Sequence, residues 1–123
     1  MTTVELEDVV TFPLLPKQCF SAARFHCENG TAKSYLEGVL FLSGIPFPIG
    51  HAVYRAHDGT LHDDARTGEA GDLYLRFVEV PAEAFRAAMQ NPLFVREFER
   101  HDMYPFTRAR KVLAKHDVVT VSS

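Results

Sequence analysis

Cys19, His51 and Asp63 are the residues of this chain whose types and order best suit covalent chemistry. A thiol reacts as its thiolate, and an imidazole within reach can take its proton and then stabilise the anion. A carboxylate on the far side of the ring fixes its tautomer and orientation. Gln18, beside the cysteine, carries a side-chain amide suited to an oxyanion, together with the Cys19 backbone N–H. Such a set attacks an amide or thioester carbonyl, and it calls for no cofactor and no metal.

These side chains need elements to hold them. Residues 17–28 read as a helix, with Pro16 near its first turn and Asn29-Gly30 as its stop. Cys19 then lies in the first turn, where the positive end of the helix dipole favours a thiolate. Residues 49–56 and 60–65 read as two strands around the loop His57-Asp58-Gly59. A three-residue loop with Gly59 left-handed sets Ala56 opposite Thr60 and Val53 opposite Asp63. His51 shares a face with Val53, since strand side chains alternate. Asp63 is then its diagonal neighbour, with backbones roughly 7–8 Å apart. A two-residue loop would bring Asp64 to that face instead; the three-residue reading favours Asp63. Tyr35 and Glu37 share one face of a strand over 34–43, interrupted by Gly38. They read as pocket residues or as a core residue beside a strand charge.

The remaining elements complete an α+β pattern. Residues 3–12 read as a short strand and 73–80 as a longer one. Helices follow from Pro81 to about Gln90, from Pro92 to about Asp102, and from Pro105 to about Lys115. Phe94, Val95 and Phe98 have core spacing on the second of these. Arg108, Arg110, Lys111 and Lys115 read as a solvated face near a helix end. The tail from Val118 to Ser123 is β-prone. The expectation is a Cys-bearing helix packed on an antiparallel sheet, with short C-terminal helices, in one domain over 1–123.

Composition narrows the classes. The 123 residues are 46% hydrophobic and 24% charged, which suits a packed core rather than disorder. A net charge of −3 argues against nucleic acid, whose phosphates require clustered cations. Apolar runs such as Val39 to Leu42 are too short for a bilayer. Glu5, Glu7 and Asp8 are the opposite of a basic signal-peptide start. Cys19 and Cys27 stand eight residues apart, about 12 Å along a helix, too far to bridge. Both are expected as thiols in a reducing cytoplasm, with Cys27 structural. The six histidines, His26, His51, His57, His62, His101 and His116, lack the spacing of a zinc finger or a His-Glu-x-x-His helix. A His51–His62 pair completed by Cys19 or Asp63 is the lesser, metal-binding alternative.

The segments Gln18-Cys19-Phe20, Tyr35-Leu36-Glu37-Gly38, His51-Ala52-Val53 and His62-Asp63 resemble a pattern in small bacterial and phage proteins. That pattern is similar to the papain-like, transglutaminase-like cysteine superfamily. The resemblance covers roughly residues 17–80. It implies a helix-start Cys on an antiparallel sheet bearing His and Asp, and hydrolase or acyltransferase chemistry on a small-molecule, peptide or protein substrate. The chain departs from the pattern at Val53 in place of Trp, at Asp64-Ala65 in place of Pro-Thr, and at Ser21-Ala22-Ala23 where an Asn is expected. Those departures keep a second reading open: an inactive binding or inhibitor protein on the same scaffold, phage-encoded, with a host protein as partner.

Overall fold

The computed structural model describes residues 3–14, 16, 18–101 and 109–118. Six strands form one sheet: β1 (Val4–Leu6), β2 (Val10–Thr11), β3 (Ala32–Phe41), β4 (Ile49–Ala56), β5 (Leu61–Asp63) and β6 (Leu73–Pro81). Their order across the sheet is β1-β6-β3-β4-β5-β2. Helices α1 (Cys19–Glu28), α2 (Ala82–Ala88) and α3 (Pro92–His101) accompany it, with a π-type turn over Ala109–Leu113. The α+β class holds, with two refinements. The stretch expected as one strand over 3–12 is two, parted where Asp8 takes a left-handed φ of 57°. The second of them runs parallel to β5, so the sheet is mixed rather than wholly antiparallel.

The topology dictates curvature. β1 and β2 form opposite edges of the sheet, yet only Glu7, Asp8 and Val9 separate them. Four residue steps reach at most about 14 Å. The edges of a flat six-stranded sheet would lie about 24 Å apart. The sheet must therefore curl until its edges approach each other. Leu6, Leu36, Leu40, Val53, Leu61, Tyr74 and Phe77 converge from five strands to fill the inside of that curl. The opposite face carries Tyr35, Ala52, Tyr54, Val78 and Val80, and packs against Phe20, Ala23 and Cys27 of α1, Phe85 of α2, and Phe94 and Phe98 of α3. Phe94 and Phe98 are thus core, as their spacing predicts.

Gly38 does not interrupt β3. It lies where the β3–β6 register slips between Glu37↔Val78 and Val39↔Leu75, at a bulge in β6 that holds Arg76 at φ 58°. A Cβ on Gly38 would fall 2.5 Å from the Phe77 ring and 2.7 Å from its Cα. Glycine is required because the opposing chain lies directly on the backbone there. The bulge also changes the parity of β6: Tyr74 and Phe77, three residues apart, both point inward.

Among the described residues no helix is long and apolar enough to cross a membrane. The helix expected from Pro105 and the β-prone tail from Val118 lie partly outside the described residues, and Arg108 lies wholly outside them. Lys115 pairs with Glu97 at 2.7 Å.

Candidate active site

Cys19 is the first residue of α1. The Gln18 carbonyl accepts the first helical bond, from Ala22 N–H at 2.8 Å, while its exposed side chain makes no capping bond. Burial of Phe20, Ala23 and Cys27 seats the helix against β3 and β4 and leaves Cys19 half-buried at its positive end. The two thiols differ sharply. Cys27 is fully buried, and burial pushes its thiol up to about 12, with Arg86 opposing and Glu28 assisting.

The hairpin forms with the parity that its loop residues predict. Gly59 is left-handed at φ 92°, and Ala56 N–H donates to the Thr60 carbonyl at 2.8 Å. β4 and β5 pair at Tyr54↔His62 and Arg55↔Leu61, and extending that register sets Asp63 opposite Val53. His51 lies two residues back on the same inward face. Its Nε2 meets Asp63 Oδ2 at 2.6 Å. A carboxylate only accepts, so Nε2 carries a proton and Nδ1 is the nitrogen left for Cys19. The Cys19 thiol lies near enough to the same ring to act on its charge. Three residues distant in sequence thus come together: Asp63 bonded to His51, and Cys19 beside the ring.

Burial works against a charge on His51, which is 5% exposed. The bond to Asp63 and the nearby Cys19 outweigh it and raise the imidazole to about 9. The site therefore favours an imidazolium held between an anion on one side and a sulfur on the other.

Asp63 is fully buried, and its oxygens are well supplied with donors. Ala65 N–H donates to Oδ1 at 3.1 Å, and the Tyr74 hydroxyl donates to Oδ2 at 2.8 Å. Behind Tyr74, Arg66 Nη1 donates to the phenol oxygen at 3.0 Å and Nη2 pairs with Asp72 at 2.5 Å. Burial and the neighbouring Asp63 hold the Tyr74 proton well above the usual phenol range, so Tyr74 remains a neutral donor. Tyr74, Arg66 and Asp72 were not among the sequence candidates. Only the fold brings β6 across the curl to β5.

Asp64, the alternative acid, points elsewhere. It meets His26 Nε2 at 2.7 Å, and its proximity, after burial, helps push the Tyr54 phenol up to about 12. The Tyr54 ring stacks between His26, at 4.0 Å between centroids, and His62, at 5.2 Å. That stack gives His62 a structural setting away from His51. No group of three or more His, Cys, Asp or Glu suited to a metal ion occurs among the described residues.

The structure does not bring Tyr35 and Glu37 to the surface. Tyr35 is fully buried, stacks on Phe85 at 4.6 Å and donates its hydroxyl to Glu37, itself 4% exposed. They brace the core under the helices.

Comparison with protein-family models, curated proteins and solved structures finds no match to this chain.

Proposed function

We propose that this chain is a cysteine hydrolase or acyltransferase of papain-like type, acting on an amide or thioester. The observation that carries the reading is the bond of His51 Nε2 to buried Asp63 at 2.6 Å, with the helix-start Cys19 beside the same ring. The Cys19 thiolate attacks the carbonyl carbon, forming a C–S bond as the carbonyl electrons move to oxygen. The oxyanion is received by the Cys19 N–H and the Gln18 amide. Collapse expels the amine or thiol, which takes the proton from His51 Nδ1. Water, or an acceptor nucleophile, then gives its proton to His51 and attacks the acyl–sulfur bond, releasing Cys19. Asp63 holds the ring in place throughout.

A non-catalytic binding protein is the second reading. It is favoured by Phe12 and Leu14, both more than half exposed beside the acid: Phe12 N–H donates to the Asp63 carbonyl at 2.9 Å.

Iodoacetamide labelling of Cys19 in a Cys27→Ser background separates the two. The hydrolase reading expects labelling at pH 6 at least about tenfold faster than in the same protein with His51→Ala, one unit of ionisation being a factor of ten. Equal, slow labelling in two folded proteins would remove the nucleophile and leave the binder.

A further inference from the structure

Asp63 Oδ2 serves two donors at once, His51 Nε2 at 2.6 Å and the Tyr74 hydroxyl at 2.8 Å. Tyr74 in turn receives Arg66 at 3.0 Å, and Arg66 is anchored by Asp72. Asp72 is itself fixed by backbone N–H groups of Ser43 and Glu69, both at 2.8 Å. The line therefore runs from a pinned loop to the acid behind the imidazole through direct hydrogen bonds.

We infer that Tyr74 is a positioning residue of the Cys19–His51–Asp63 site, sharing Asp63 Oδ2 with His51 so that the imidazole can release its proton, and that Arg66 acts through it. The inference rests on the proposed cysteine chemistry for its function, though its geometry stands apart from it.

The physics is a competition for one oxygen. When His51 is an imidazolium, its N–H takes most of the Oδ2 charge and Tyr74 contributes least. When Nδ1 has given up its proton, Asp63 is a buried carboxylate facing a neutral ring, and the Tyr74 and Arg66 dipole and charge stabilise it most. The line thus favours the deprotonated pair and limits how tightly His51 holds its proton. An imidazolium held too tightly is a poor acid for a leaving group. Among the described residues, three positions face this pair. Cys19 comes from α1, Tyr74 from β6 with its ring 5.9 Å from that of His51, and Gly38 of β3 lies opposite His51 with no side chain. Asp64, adjacent in sequence, is bonded to His26, with Tyr54 close by.

The test is an NMR titration of the His51 ring in the Cys27→Ser protein, with Tyr74→Phe and Arg66→Met beside it. Tyr74→Phe is expected to raise the pH at which the pair loses its proton by about one unit, and to move the Nε2 proton resonance further downfield. Arg66→Met is expected to shift both in the same direction by less, and it carries the test should Tyr74→Phe fail to fold. A purely structural tyrosine would lower the melting temperature and leave the titration in place. An unchanged or lowered titration in a folded variant overturns the inference. The readout needs no turnover. A raised titration with an unreactive Cys19 would remove the reaction and keep the Tyr74 assignment, and an unmoved titration with a reactive Cys19 would do the reverse.

Discussion

Asp63 and Asp64 are consecutive, and each bonds one histidine with a tyrosine close by: Asp63 has His51 and Tyr74, Asp64 has His26 and Tyr54. The residue types are the same, but the surroundings are not. Asp63 faces the interior of the curled sheet and is fully buried, whereas Asp64 faces α1 and is 9% exposed. The far nitrogen of each ring differs as well. His51 meets Cys19 at the start of α1, and His26 Nδ1 meets the Thr31 hydroxyl at 2.7 Å, just past the end of the same helix. One imidazole is thus paired with a thiol at the positive end of a helix dipole, and the other with a hydroxyl near the negative end. A carboxylate–imidazole pair alone carries no chemistry; what completes it, and where, decides.

The largest expected effect comes from removing each acid in turn. Asp63→Asn leaves His51 buried without its counter-charge, and breaking a buried pair typically costs about 3–5 kcal/mol. Cys19 labelling at pH 6 should fall at least about tenfold with it. Asp64→Asn leaves a partly solvated histidine and should cost about 1 kcal/mol, with Cys19 labelling unchanged. Urea unfolding and labelling of both variants check the pair of claims. Equal losses from the two substitutions would abolish the distinction drawn here.

Next in size is a pH dependence. His51 is raised to about 9 in the folded chain, against about 6.5 for an unperturbed imidazole. A group raised on folding contributes stability that is fully present below its unfolded pKa and is lost as pH climbs through its folded one. The window is therefore about pH 6.5 to 9, and stability falls across it by at most on the order of 3 kcal/mol. Denaturant midpoints at pH 6 and pH 9.5, compared with those of His51→Gln, isolate this slope. A slope shared by His51→Gln would assign it to other groups.

The parts legible in the sequence are those with local causes. Asn29-Gly30 ends α1, and Pro16 marks its approach, the helix beginning at Cys19, two residues after the expected start. Gly59 fixes the loop length, and loop length fixes the register that sets Asp63 rather than Asp64 beside His51. Tyr74 was hidden by the same rule that revealed Asp63. Strict alternation puts it on the face of Val78 and Val80, toward the helices. The bulge at Arg76 reverses the parity, and the curl brings β6 to β5 although β3 and β4 lie between them in the sheet. Gly38 hints at an irregularity there but does not say which strand carries it. Tyr35 is the core residue that one of its two readings expects, and Glu37 is buried with it rather than exposed, because the face they share is the one that α2 and α3 cover. His26 had no signal of its own, because its partners come from a turn and a distant hairpin.

The finest test asks whether position or residue type makes Cys19 special. Thr31→Cys, in a chain with Cys19→Ser and Cys27→Ser, puts a thiol against the second imidazole with Asp64 still behind it. Thr31 is exposed and follows α1, so the nearby helix carbonyls oppose a thiolate, and solvent screens what His26 offers. Its hydroxyl also bonds Asn29 Oδ1 at 2.7 Å, so the substitution should lower stability by about 1 kcal/mol or less. The new thiol should label at the rate of an ordinary exposed cysteine, at least about tenfold below Cys19 at pH 6. Matching rates would mean that any thiol touching a carboxylate-backed imidazole in this fold is activated. Burial and the start of α1 would then have no part in the chemistry of Cys19.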